Sequence, residues 1–130
     1  RQASAQQPEY KARSATTAYV QIFEHNTGLM NCLLHHHAAF PEARKAFQTL
    51  NNEWIAAVVA SAQKRLRASG RENDITHAEL LRRAHALGGM VDQYLSDLFL
   101  SRDPALIAVS THRSDVIDTL CLIWERGMEP

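Results

Sequence analysis

The chain has 130 residues, 45% hydrophobic and 22% charged, with 14 Lys and Arg against 14 Asp and Glu. That length suits one domain with a single core, and those fractions exclude disordered and fibrous chains. Zero formal charge argues against a broad nucleic-acid footprint, two cysteines cannot build a disulfide scaffold or a four-ligand zinc site, and no apolar run approaches the roughly 18 residues of a membrane span.

Residues 1–9 are polar and are expected to form a linker or a frayed helix start. The opening Arg1-Gln2-Ala3-Ser4 has no Met and no signal-peptide pattern, so the expectation is a chain entered partway through a longer protein. From Tyr10 onward the 3.6-residue period dominates, and no stretch alternates apolar and polar residues over a strand's length. Residues 10–130 are therefore expected to be an all-α domain, an antiparallel helical bundle of about five to six helices.

Ala15, Tyr19, Ile22 and Phe23 share one face of the first helix, which Asn26-Thr27-Gly28 interrupts. Leu29, Met30, Leu33, Leu34 and His37 mark a second, short segment closed by Phe40-Pro41. Pro41 and Glu42 suit the first turn of a long helix carrying Phe47, Leu50, Trp54, Val58 and Ala62, ended by Gly70. Thr76-His77-Ala78-Glu79 has the form of a capping box, and Leu80, Ala84, Leu87, Val91, Tyr94, Leu95 and Leu98 carry the helix it opens. Gly88-Gly89 weakens that helix by about 1 kcal/mol per glycine, so close packing of an element or a ligand is expected beside it. Asp103-Pro104 opens a short helix, and Val116, Ile117, Leu120, Ile123 and Trp124 form the last.

Catalytic signatures are sparse. His-Glu-x-x-His is absent, no Glu has a His three positions later, and Gly88-Gly89 follows no strand that would make it a phosphate loop. Cys32 and His36 sit at i, i+4 and could face each other, although a small apolar Cys near imidazoles at a helix end is the plainer reading. Adjacent His35, His36 and His37 point about 100° apart, so at most two could share a metal. No metal and no cofactor is expected. Lys64, Arg65, Arg67 and Arg71 form the densest basic patch, which a solvated helix end explains.

The order of these signals resembles the C-terminal regulatory domain of the tetracycline-repressor-like (TetR) family of bacterial transcriptional regulators. Phe40-Pro41-Glu42 followed by Leu50-Asn51-Asn52-Glu53-Trp54 is similar to the family's short-helix, Pro-Glu, long-helix stretch. Leu87-Gly88-Gly89-Met90-Val91-Asp92 is similar to a small-residue segment in its penultimate long helix. Asp103-Pro104-Ala105-Leu106 and a terminal helix ending Ile123-Trp124-Glu125-Arg126-Gly127 complete the set, over residues 10–128. The family's N-terminal helix-turn-helix is missing from this sequence.

The resemblance implies a cytoplasmic homodimer that senses a small, mostly apolar effector, touches DNA only through that missing domain and has no membrane partner. The implied pocket residues are Phe23, Met30, Leu34, His37, Trp54, Met90 and Tyr94. The implied dimer contacts lie on the two C-terminal long helices, at Leu95, Leu98, Val116, Ile117, Leu120, Ile123 and Trp124. Trp124 reads either as an interface anchor or as core of its own subunit. Two other readings stay open: a small helical enzyme using Cys32, His36 or Asp92, and a dimerisation scaffold filled solid around Met90. Charge divides along the chain, with 3 cations and 2 anions in residues 1–40, 6 and 3 in 41–73, and 5 and 9 in 74–130. The acidic C-terminal part suits a sensing domain more than one that grips DNA.

Overall fold

The computed structural model describes residues 8–36 and 41–130, and side chains from Ala12 onward within that range. Six helices occur among the described residues: α1 (Pro8–His25), α2 (Thr27–His35), α3 (Pro41–Ala68), α4 (His77–Phe99), α5 (Pro104–Ala108) and α6 (Arg113–Gly127). No strand occurs among the described residues. None of the described helices is long and apolar enough to cross a membrane. The expected linker at residues 1–9 lies almost wholly outside the described part.

Local chemistry sets most helix ends. Gly70, at a φ of 70°, takes the left-handed position after α3; Arg71 N–H then reaches Leu66 O at 2.8 Å and Gly70 N–H reaches Arg67 O at 3.1 Å. This pair of hydrogen bonds caps the last carbonyls of the helix, and glycine adopts the conformation without a Cβ penalty. Thr76 caps α4 by accepting from Glu79 N–H at 3.1 Å. The reciprocal half of the capping box is replaced, because the Glu79 carboxylate accepts from Arg83 at 2.6 Å instead. Asp103 accepts from Ala105 N–H at 2.9 Å and starts α5.

Cross-helix pairs fix the directions. Thr16 meets Trp54 while Tyr19 meets Phe47, so α1 and α3 run antiparallel. Arg13 pairs with Asp118 and Glu24 with Arg113, which makes α1 and α6 antiparallel as well. Tyr19 meets Asp92 and Phe23 meets Phe99, so α1 and α4 run parallel. The core between them holds Val20, Phe23, Val58, Ala84, Leu95, Leu120 and Trp124, all buried. Arg113 lies over the Phe99 ring at 4.8 Å and Arg65 over Trp124 at 5.9 Å, so charged stems close the edges of that core.

Candidate functional site

Where α1, α3 and α4 meet, polar groups sit on faces that are otherwise apolar. Thr16 and Tyr19 fall on the buried face of α1 together with Ala12, Val20 and Phe23. Thr16 Oγ1 donates to Ala12 O at 2.9 Å and accepts from the Trp54 indole at 2.8 Å. The hydroxyl thus satisfies the one polar atom of a buried tryptophan. One turn further, the Tyr19 hydroxyl donates to Asp92 Oδ1.

Tyr19, Asn51, Trp54, Gly88, Val91 and Asp92 line a crevice with about 10 Å³ of free space. That is close to the minimum for a single water. A Cβ on Gly88 would meet Trp54 Cζ3 at 3.6 Å and Asn51 Oδ1 at 3.7 Å, both ordinary contacts. Trp54 therefore fills most of the space that the glycine leaves.

Burial pushes Asp92 up to about 6, and the Tyr19 hydrogen bond pulls it partly back. The same burial, with the carboxylate beside it, raises Tyr19, so the phenol stays protonated. Among the described residues no Lys, Arg or His pairs with Asp92. A half-buried carboxylate with one neutral donor and no counter-charge is an unusual arrangement, since such groups normally acquire a cation.

Six of the expected pocket residues belong to the hydrophobic core cluster or pack against it. Trp54 lines the crevice. Phe23 lies instead in an aromatic row, edge-on to Tyr19 at 6.1 Å and tilted against Phe99 at 6.2 Å. Met30 is buried, Leu34 and Met90 are half-buried against the core, and half-buried Tyr94 turns its hydroxyl to Ser110 at 3.4 Å. His37 lies outside the described residues. Thr16, Asn51 and Asp92 are the site residues that apolar periodicity passes over, whereas Tyr19 falls on the apolar face it picks out. The signal available for them was a polar residue recurring on a buried face, with Asp92 four positions after Gly88.

The expected interface residues also divide. Leu95, Leu98, Val116, Ile117, Leu120 and Trp124 lie within the chain's own core, Trp124 completely. Ile123 is 39% exposed, and its neighbour Leu122 is 51% exposed. An amphipathic stripe has the same period whether it faces its own chain or another, so sequence alone does not separate the two.

No match to this chain occurs among family models, curated proteins or solved structures. No cluster of three metal-ligating side chains occurs among the described residues. Cys32 is half-buried on α2, and no hydrogen bond joins its thiol to His36, which ends that helix.

Proposed function

We propose that this chain is the effector-sensing and dimerising domain of a TetR-like transcriptional regulator, acting in the cytoplasm on DNA through a helix-turn-helix outside this sequence. The observation that carries the reading is on α6. That helix already buries Val116, Ile117, Leu120, Cys121 and Trp124 against its own chain, yet it still exposes Leu122 and Ile123 side by side. Adjacent exposed large apolar side chains on a helix that has its own buried face suit a second subunit.

Helix α4 packs against the end of α6. Gly127 of α6 backs onto Leu87, and Arg83 reaches the carbonyls of Gly127 and Glu129. The exposed positions of α4 include Ala86 and Gly89, small residues that let another helix approach closely. A shift of α4 on effector binding would then be passed to the partner and to the spacing of two upstream DNA-binding heads.

Light scattering at micromolar concentration is expected to give a dimer. Leu122→Asp together with Ile123→Asp is expected to give a monomer of unchanged helical content, because neither side chain belongs to the core. A monomeric native chain overturns the reading. One observation favours a second reading, a dimerisation module that takes no effector: Trp54 leaves only about 10 Å³ beside Gly88. The same dimer forms in both, and effector binding separates them.

A further inference from the structure

We infer that the crevice between Tyr19, Trp54 and Asp92 recognises a protonated amine carried on a small aromatic or apolar body. This rests on the effector-sensing reading and narrows its ligand class. Three observations converge on it. The Asp92 carboxylate is half-buried, and its only hydrogen bond among the described residues is the one that Tyr19 donates to Oδ1. Its second oxygen is therefore open to a donor, and the site holds no cation of its own among the described residues.

The walls suit such a group. Tyr19 and Trp54 line the crevice together with the carboxylate, so an ammonium there meets the negative charge within a partly aromatic wall. Asn51 supplies a second acceptor, its Oδ1 lying 3.7 Å from the point where a Gly88 Cβ would sit. An ammonium with three N–H donors would thus meet a carboxylate oxygen and an amide oxygen. A neutral hydroxyl of the same size would not offset the charge.

The free space of about 10 Å³ admits the ammonium head alone, so the body of the ligand rests outside the crevice, against the outer half of α3. None of residues 41–53 is buried. Half-buried Phe47, its ring 6.0 Å from that of Tyr19, offers that body an aromatic surface.

The test uses the whole chain with 2-phenylethylamine and its near-isostere 2-phenylethanol at neutral pH, followed by nuclear magnetic resonance titration. The amine is expected to bind about tenfold more tightly than the alcohol. It is expected to shift the Trp54 indole and Gly88 amide resonances, and to lose its advantage in Asp92→Asn. Asparagine keeps the shape and still accepts from Tyr19. Equal affinities for the two probes, or an amine preference that survives in Asp92→Asn, overturn the inference while leaving a neutral effector open. If neither probe shifts those resonances at millimolar concentration in the native chain, the inference is also overturned, and the oligomeric state still decides the broader reading by itself.

Discussion

Residues 41–53 and 54–68 belong to one unbroken helix, yet they do different work. The inner half of α3 buries Trp54, Ile55, Val58, Val59, Ser61, Ala62 and Leu66 between α1 and α4, and Arg65 reaches the Trp124 ring of α6. The outer half buries no residue, and touches the rest of the bundle through half-buried Ala43, Phe47 and Leu50. Helical hydrogen bonding is continuous through both, so the difference lies in tertiary packing. Most helix stability in proteins comes from such packing, which makes the inner half framework and the outer half the part most able to move. The crevice sits where they meet, with Asn51 from one side and Trp54 from the other.

The sharpest way to break this contrast is to truncate one aromatic side chain in each half. Trp54→Ala is expected to cost about 3–5 kcal/mol, through lost burial and a cavity that the core cannot close. It also deprives the Thr16 hydroxyl of its indole partner. Phe47→Ala is expected to cost about 1 kcal/mol, because the ring is already half in water. Urea denaturation of both variants measures the difference. Equal losses would show that the outer half is as much a part of the core as the inner one.

A smaller effect comes from the carboxylate at the junction. Asp92 titrates at about 6 in the folded chain because it is buried, against about 3.9 in an unfolded one. Between those values the native state keeps a proton that the unfolded state has released. Stability is therefore expected to fall as pH rises from about 4 through about 6, and to level off above, with Asp92 contributing at most about 3 kcal/mol. Asp92→Asn removes the ionisable group, so its unfolding free energy should lose this part of the slope and exceed that of the native chain at neutral pH. Urea midpoints across that range check it. An unchanged slope in Asp92→Asn would place the titration elsewhere.

What could be read from the sequence follows the same division between local and distant chemistry. Pro41, Gly70, Thr76 and Asp103 act on backbone groups within a few residues of themselves, and the helix boundaries they predict are those observed. Glu79 shows the limit even there: its side chain could turn to the cap or to Arg83 one turn on, and the cation wins. Tyr19 and Asp92 are 73 positions apart, and nothing in either segment announces the other. Their pairing depends on α1 and α4 running parallel, which is a property of the assembled bundle. The stripe of Leu120, Ile123 and Trp124 was legible as apolar, but its division into core and exposed surface was not. The face of α6 is shared between them, with Trp124 turned inward and Ile123 turned out.

The smallest predicted effect separates packing from ligand space at the junction itself. Gly88 and Gly89 both lie mid-helix, where alanine is favoured by about 1 kcal/mol. A methyl at Gly88 would make ordinary contact with Trp54 and Asn51, whereas one at Gly89 meets nothing within 4 Å. Both Gly88→Ala and Gly89→Ala are therefore expected to raise stability by similar amounts, near 1 kcal/mol, in thermal or urea unfolding. Their effects on 2-phenylethylamine should part company, because only the Gly88 methyl projects into the crevice beside Asn51 and Trp54. Weaker amine binding in Gly88→Ala with undiminished stability, and unchanged binding in Gly89→Ala, would mean that the bare backbone at Gly88 serves a ligand. If both variants bind the amine as the native chain does, the absent side chain is explained by the approach of Trp54 alone.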